Sequence, residues 1–324
     1  MKEAQRILIT GGMGFIGSNL ALRLAADGHR VTIVDSMVPL YGGNPANIPD
    51  GTPNITVNIS DVRDPHSFEH LIKGQDALFN LAGQTSHMDS MQNPYTDLDI
   101  NCTAQLSILE ACRKHNPEIR VVYASTRQLY GKPQYVPVDE KHPIRPVDVN
   151  GINKLAGEQY HLLYHDVYGI ETSVLRLTNT IGPRMRIKDA RQTFLGIWVK
   201  CLLDGKPFEV WGGQQLRDFT YVDDCVEALI ACLNTPKTCG KVYNLGGCDP
   251  VNLIQLADAL TEAAGQGEYC IKEFPADRKK IDIGDYYSAD KAFRDATGWK
   301  HETSLHNALK QTVDYYRSRM EAYQ

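Results

Sequence analysis

Residues 6–17 of the chain read RILITGGMGFIG, an apolar run that leads directly into a glycine-rich turn. The pattern predicts a β-strand, then a turn at Gly11 and Gly14 where backbone amides can approach a pyrophosphate, then a helix whose positive end faces that anion. A second apolar stretch, residues 30–34, is followed by Asp35. Its carboxylate would accept hydrogen bonds from the ribose hydroxyls of adenosine. The sequence therefore predicts a dinucleotide site that prefers NAD, because Asp35 would repel the 2′-phosphate of NADP.

The composition argues against several kinds of partner. A net charge of -5 and a pI of about 6.1 supply no basic field, so we expect neither nucleic acid nor an anionic membrane surface to bind. The first predicted strand follows Met1 closely and no apolar run could span a bilayer, which favours a cytoplasmic protein. The eight cysteines lack the close pairs of a zinc site, so we expect no metal.

Short apolar runs alternate with longer amphipathic ones. Candidate strands end at Thr10, Asp35, Ile59, Ala82, Thr126 and Thr178. This alternation predicts an α/β fold with a Rossmann-type, doubly wound parallel sheet, whose ligands bind beyond the carboxyl ends of the strands. We expect an NAD-binding domain over residues 1–178, which a later strand near 241–247 rejoins. A smaller C-terminal lobe over residues 179–324 would mainly bind the substrate.

Several further motifs carry a family resemblance. They are Asp61-Val62, NLAGQ at 80–84, ASTRQLYG at 124–131, GINKLAGE at 151–158, LRLTN at 175–179 and RDFTYVDD at 217–224. With these motifs the chain resembles the extended short-chain dehydrogenase/reductases that act on nucleotide sugars, the epimerases and dehydratases. The resemblance implies that bound NAD removes a hydride from a sugar carbon and often returns it later. It also implies a homodimer, formed through helices within residues 97–115 and 151–168.

The resemblance assigns two groups of binding residues. The cofactor would contact Gly11, Gly14, Phe15, Ile16, Gly17, Asp35, Asp61, Val62, Leu81, Ala82, Gly83 and Lys154. The nucleotide-diphosphate sugar would contact Thr126, Arg127, Asn179, Arg217, Arg278 and Asp285.

The expected catalytic base is missing. The family uses a tyrosine four residues before a lysine, whose ammonium group lowers the pKa of the phenol. Lys154 fits the lysine, but Asn150 stands where the tyrosine belongs. An amide does not titrate near neutral pH, so Asn150 can orient a hydroxyl or a water but cannot remove a proton. Thr126 fits the hydroxyl that bridges the sugar oxygen and the base.

Three replacements for the base stay open. His87 is the leading one, because it lies on the loop that borders the sugar in this family and an imidazole titrates near neutral pH. The others are a neutral Lys154 amine and a water that Asn150 and Thr126 position. Weaker candidates are Tyr130, Tyr160 and His161.

The residues after Thr126 indicate which reaction of the family this chain catalyses. Dehydratases of this family carry an Asp-Glu pair there, whereas this chain has Arg127 and Gln128, neither of which can supply the acid. An arginine would instead suit a carboxylate, as in a uronic acid or a decarboxylation substrate. We therefore expect an NAD-dependent nucleotide-sugar epimerase. The alternatives are a dehydratase or decarboxylase, and a weakly active protein that binds NAD and a sugar nucleotide.

Overall fold

A parallel sheet forms the centre of the molecule. The computed structural model describes residues 4–41 and 43–323, without the side chains of Asp277 and Arg278. The strands are β1 (Arg6–Thr10), β2 (Arg30–Asp35), β3 (Ile55–Ile59), β4 (Ala77–Asn80), β5 (Arg120–Thr126), β6 (Thr172–Leu177), β7 (Asn179–Ile181), β8 (Phe208–Trp211), β9 (Leu216–Arg217), β10 (Phe219–Tyr221), β11 (Lys241–Asn244), β12 (Val251–Asn252) and β13 (Tyr269–Lys272). Seven strands form one sheet in the order β11-β6-β5-β4-β1-β2-β3, with every neighbour parallel. The predicted Rossmann-type sheet is confirmed.

Helices cover both faces of this sheet. They are α1 (Phe15–Ala26), α2 (Pro65–Leu71), α3 (His87–Gln92), α4 (Pro94–Leu98), α5 (Ala104–His115), α6 (Val149–Tyr168), α7 (Phe194–Leu203), α8 (Val222–Asn234), α9 (Leu253–Ala264), α10 (Ala276–Lys279), α11 (Lys291–Thr297) and α12 (Leu305–Arg317). Helices α1 and α8 pack on one face, and α2, α5 and α6 pack on the other. None of the helices in the described residues has the length and apolar character needed to cross a lipid bilayer.

The sheet is buried on both faces. In β1, Ile7 and Ile9 point into one apolar cluster and Leu8 points into the opposite one, and all three are inaccessible to solvent. Side chains alternate along a strand, so a continuous apolar run is what a parallel sheet between two helical layers requires. The apolar run at residues 6–9 therefore suits β1 to its interior position, between β4 and β2.

A second apolar core belongs to the later part of the chain. It contains Leu195, Trp198, Leu256, Leu309 and Val313, from helices α7, α9 and α12. Strand β11 instead pairs with β6 at the edge of the central sheet. The chain thus returns to the sheet after it has begun the smaller lobe.

Two predicted strands are shorter than expected. Strand β4 ends at Asn80 instead of Ala82, because the hydroxyl oxygen of Thr10 accepts the amides of Leu81 and Ala82, both at 3.1 Å. Strand β6 ends at Leu177, one residue before the predicted end.

The helix predicted over residues 97–115 is interrupted. A π-helical turn at Asp99–Thr103 separates α4 from α5. Its Asn101 side chain donates to the backbone oxygen of Gln84 at 2.9 Å, which ties the turn to the loop after β4.

Candidate active site

One cleft lies at the carboxyl ends of the central strands. Its lining comes from the segments that follow β1, β2, β4, β5 and β6, together with residues of α6. The prediction that these segments share a crevice is confirmed. All twelve predicted cofactor residues line this cleft, as do Thr126, Arg127, Asn150, Asn179 and His87.

The glycine turn has the geometry of an anion site. Gly11 has a φ of +69°, and a Cβ on Gly17 would lie 2.3 Å from the carbonyl oxygen of Gly11. Helix α1 begins at Phe15, and its N-cap Gly14 has no side chain to occupy the free backbone amides. These amides and the helix dipole suit a phosphate group.

Asp35, the last residue of β2, is the second predicted contact for the cofactor. Its carboxylate accepts from the amides of Met13 at 3.0 Å and Met37 at 2.9 Å. Burial raises its pKa, and these two hydrogen bonds oppose that effect. The carboxylate is therefore fixed in place at the end of β2, where a ribose would meet it.

Lys154 is a buried cation at the floor of the cleft. Its Nζ donates to the carbonyl oxygen of Ala124 at 2.9 Å and lies 5.0 Å from the centre of the Tyr123 ring. Burial lowers the pKa of Lys154 to about 8. The amine is thus charged for the most part at neutral pH and still able to lose its proton near that range.

Asn150 has both amide hydrogens engaged. Its Nδ2 donates to the carbonyl oxygen of Gln84 at 2.8 Å and to Asp97 Oδ2 at 3.0 Å. The other oxygen of the buried Asp97 accepts from Asn153 Nδ2 at 2.8 Å. Only the Oδ1 of Asn150 is left, and this atom can accept a hydrogen bond but cannot donate one.

His87 lies beside a buried carboxylate. Its Nδ1 is 3.0 Å from Asp148 Oδ2, close enough for an ion pair although the two groups are not aligned as a hydrogen bond, and Nδ1 has no hydrogen-bond partner among the described residues. Asp148 Oδ2 also accepts from Gln128 Nε2 at 2.8 Å, and its Oδ1 accepts the amide of Gly151 at 2.7 Å. Burial opposes ionisation, but the contacts with His87, Gly151 and Gln128 keep the pKa of Asp148 below its ordinary value.

Asp148 also has a structural role. It is the N-cap of helix α6, the helix that also carries Asn150 and Lys154. Capping fixes the carboxylate relative to that helix. His87 begins the short helix α3, whose N-cap Ser86 accepts the amide of Asp89. Two capped helices therefore place the imidazole and the carboxylate together.

Thr126 lies at the end of β5. Its hydroxyl oxygen accepts the amide of Gln128 at 3.2 Å and so begins a turn over Arg127–Tyr130. The hydroxyl hydrogen has no acceptor among the described residues, and Thr126 lines the cleft. This hydroxyl is free to donate to a ligand.

The remaining substrate candidates lie toward the smaller lobe. Arg127 donates to Asn179 Oδ1 at 2.9 Å. Arg217 is buried outside the cleft lining, where its guanidinium donates to the carbonyl oxygens of Leu216 and Gly284. Burial and the nearby charge of Arg127 lower the pKa of Arg217 to about 10.

Asp285 and Arg278 stand apart from the cleft. Asp285 is exposed and accepts the amide of Leu216 at 2.9 Å. The side chain of Arg278 lies outside the described part of the structure. The ligand contacts predicted for these two residues and for Arg217 stay predictions.

The sequence interpretation gave no role to three polar residues of the site, Asp97, Asn101 and Asp148, and it quoted Gln84 in the NLAGQ motif without assigning it a role. Asp148 had a signal, because an aspartate directly before a helical segment is a typical N-cap. Asp97 had none, since its partners Asn150 and Asn153 are more than fifty residues away. Among the described residues, no three His, Cys, Asp or Glu side chains are arranged to hold a metal ion.

Comparison with known proteins agrees with this geometry. A protein of Methanocaldococcus jannaschii, provisionally named UDP-glucose 4-epimerase, is 32% identical over 313 residues, which cover 96% of this chain and 98% of that protein. UDP-glucuronic acid decarboxylase 1 of Xenopus tropicalis is 31% identical, over 99% of this chain and 74% of that one. The UDP-glucose 4-epimerase of Thermotoga maritima, solved with UDP-glucose, superposes with a TM-score of 0.89 at 28% identity, over 97% of this chain and 99% of that one.

The sequence profile of the NAD dependent epimerase/dehydratase family matches residues 7–246. This match covers the glycine turn, Asp35, the cleft and strand β11. The glycine turn and the fixed carboxylate of Asp35 fit the cofactor that the family uses. The chain therefore belongs to the NAD-dependent epimerase/dehydratase family.

Proposed function

We propose that this chain is an NAD-dependent epimerase of a nucleoside-diphosphate sugar, which acts through transient oxidation of a sugar carbon and uses His87 as its base. The observation that carries the proposal is the 3.0 Å contact between His87 Nδ1 and Asp148 Oδ2 in the cleft. It supplies the titratable group that Asn150 lacks. The chain belongs to the NAD-dependent epimerase/dehydratase family, and relatives named UDP-glucose 4-epimerase support a nucleotide sugar as its substrate.

The carboxylate of Asp148 orients the imidazole. The charge of Asp148, 3.0 Å from Nδ1, favours the tautomer that carries its proton on Nδ1, so that Nε2 keeps the lone pair and can take the proton of a sugar hydroxyl. The charge of Asp148 then stabilises the imidazolium that forms. Gln128 holds the same carboxylate oxygen at 2.8 Å and keeps it facing His87.

Asn150 and Thr126 position the sugar hydroxyl. Thr126 has a free hydroxyl hydrogen, and Asn150 has a free amide oxygen once Gln84 and Asp97 have taken its two hydrogens. One group donates and the other accepts, so together they fix the direction of the hydroxyl group. Neither takes the proton.

The cofactor would lie between the glycine turn and Lys154. When bound, NAD supplies the acceptor for the hydride of the sugar carbon. The amides near Gly11 and Gly14 would hold its pyrophosphate and Asp35 its adenosine ribose. Lys154, charged for the most part at neutral pH, would donate to the nicotinamide ribose.

Decarboxylation of a uronic acid is the second candidate. It is favoured by the Xenopus tropicalis relative, named a UDP-glucuronic acid decarboxylase. The missing acid at Gln128, which is bound to Asp148 and cannot donate a proton, counts against dehydration. The relatives of Methanocaldococcus jannaschii and Thermotoga maritima, both named as UDP-glucose 4-epimerases, favour epimerisation over decarboxylation. We therefore rank epimerisation first, dehydration or decarboxylation second and binding without turnover third.

The test is product analysis in heavy water. The purified protein with NAD is incubated with uridine, thymidine, guanosine and cytidine diphosphate sugars, including UDP-glucose and UDP-glucuronic acid, and products are separated by mass-resolved chromatography. A new isomer of unchanged mass supports epimerisation by hydride return. A gain of deuterium indicates proton removal beside a ketone, and loss of carbon dioxide or water identifies a lyase. If no sugar is converted, the proposed epimerase is wrong.

We also propose a homodimer formed through α5 and α6. These helices pack against each other and leave Leu106, Leu163 and Val167 exposed, with Val167 59% accessible. Such an apolar face on two adjacent helices suits a second copy of the same pair. Light scattering should give twice the chain mass, and the double substitution Leu163→Glu and Val167→Glu should give a monomer. A wild-type monomer would contradict this assembly.

A further inference from the structure

Arg127 is a cation at the cleft without an anion beside it. It begins the turn after Thr126 and lines the cleft. Its Nη2 donates to Asn179 Oδ1 at 2.9 Å, and its guanidinium lies 5.1 Å from the centre of the Tyr286 ring. Its Nη1 is inaccessible to solvent and has no hydrogen-bond partner among the described residues. The charged group is thus held in place while part of its donor capacity is unused.

Other buried arginines form ion pairs with carboxylates. Arg176 meets Glu158 at 2.5 Å, and Arg186 meets Asp189 at 2.5 Å. Within the described residues no carboxylate oxygen lies within 4.0 Å of the Arg127 guanidinium. A desolvated charge without a partner is costly, so the place is suited to an anion that arrives with a ligand.

Asp218 does not serve as that anion. Its carboxylate accepts from the Thr178 hydroxyl at 2.5 Å and from the amide of Ser288 at 3.0 Å. Burial lowers the pKa of Arg127 despite the attraction of Asp218 and Asp282. A guanidinium nevertheless keeps its proton at neutral pH, so the charge persists.

We propose that Arg127 determines substrate specificity by binding a carboxylate on the sugar ring, so that the site takes a nucleoside-diphosphate uronic acid or a similar acidic sugar. This inference rests on the proposed function, which puts the sugar against Thr126, the residue before Arg127. A planar guanidinium binds a carboxylate through two parallel N–H···O contacts. A neutral sugar can offer Nη1 only a hydroxyl oxygen, which accepts a hydrogen bond but leaves the buried charge of Arg127 without a counterion, whereas a carboxylate supplies both.

Equilibrium binding tests the assignment without requiring turnover. Affinities for UDP-glucuronic acid, UDP-glucose and UDP are measured calorimetrically on the NAD-loaded protein, as wild type and as Arg127→Gln. We expect wild type to bind UDP-glucuronic acid more tightly than UDP-glucose. In Arg127→Gln the affinity for UDP-glucuronic acid should fall by about 10- to 100-fold, the usual effect of losing a charge-assisted contact. The affinities for UDP-glucose and UDP should change by less than about threefold.

Three results would overturn the assignment. Equal weakening of all three ligands would place Arg127 at the diphosphate, no change would mean no ligand contact, and a wild-type preference for UDP-glucose would exclude a carboxylate site. Arg127→Lys keeps the positive charge but loses the two parallel N–H donors of the guanidinium, so it should bind UDP-glucuronic acid with intermediate affinity. Arg145→Gln, at an exposed arginine, is the matched control and should change nothing.

The same experiment separates this inference from the proposed function. His87→Ala should leave the affinity for UDP-glucuronic acid unchanged while turnover falls. If the protein converts no sugar but keeps the selectivity and loses it in Arg127→Gln, the epimerase proposal fails and the carboxylate site stands. If turnover is found and selectivity is absent, the opposite holds.

Discussion

The two halves of helix α6 carry similar polar side chains but engage them to different degrees. In the second half, Glu158 binds Arg176 through both oxygens at 2.5 and 3.0 Å, and His161 stacks on Tyr123 with ring centres 4.1 Å apart. In the first half, Lys154 has a single backbone acceptor. Glu158 and Arg176 satisfy each other's charge within the scaffold, whereas Lys154 lines the cleft and keeps donor capacity for a ligand.

The largest effect is expected from breaking the ion pair of Glu158 and Arg176. Glu158→Ala leaves Arg176 buried without its counterion, so the free energy of unfolding should fall by about 3–5 kcal/mol, measured by urea denaturation. The double variant Glu158→Leu and Arg176→Met should recover part of that loss.

Lys154→Met, in the first half of α6, is the variant to compare with Glu158→Ala. It removes a buried amine with one carbonyl partner, so it should lower the free energy of unfolding by no more than about 1 kcal/mol. Equal losses for Glu158→Ala and Lys154→Met would erase the distinction between the two halves.

The pH dependence of the free energy of unfolding tests whether His161, in the second half of α6, is held neutral in the folded protein. Burial lowers the pKa of His161 to about 4, from an ordinary value of 6.5. Between these values the unfolded chain binds a proton that the folded chain excludes. The stability due to neutral His161 is therefore complete above pH 6.5 and is lost as the pH falls toward 4, by about 3 kcal/mol.

The check compares wild type with His161→Gln. The difference in free energy of unfolding between them should shrink by about 3 kcal/mol from pH 7 to pH 4. A constant difference over that range would show that His161 is not held neutral.

A smaller effect is expected from Asp148→Asn. Asparagine is as good an N-cap as aspartate, so helix α6 should keep its start while His87 loses the charge that pairs with it. We expect kcat to fall by about 10- to 100-fold, part of the 10²- to 10⁴-fold that a general base contributes. The nitrogen that replaces Oδ2 cannot accept from Gln128 Nε2, so the free energy of unfolding should also fall, by about 1–3 kcal/mol.

Asp64→Asn is the control for Asp148→Asn. Asp64 caps helix α2 through the amide of His66 and does not itself line the cleft. Its substitution should leave kcat unchanged. If both variants lose activity alike, the role given to the Asp148 charge is wrong.

Local patterns predicted the cofactor side of the molecule well. The glycine turn and Asp35 carry their geometry in the sequence, because close backbone approach and a strand-end carboxylate depend on neighbouring residues. The contact of His87 with Asp148 was out of reach, since these residues are brought together only when α3 and α6 meet. The π-helical turn at Asp99–Thr103 also escaped prediction, because its side-chain anchor on Gln84 is a tertiary contact.

Chemical rescue of His87→Ala tests the central claim most directly. The His87 side chain is 39% accessible, so added imidazole can reach the space that the substitution leaves. We expect kcat to fall by about 10²- to 10⁴-fold in His87→Ala and to rise with imidazole concentration, with no such rise in Lys154→Met. Full turnover in His87→Ala without imidazole would contradict the assignment of His87 as the base.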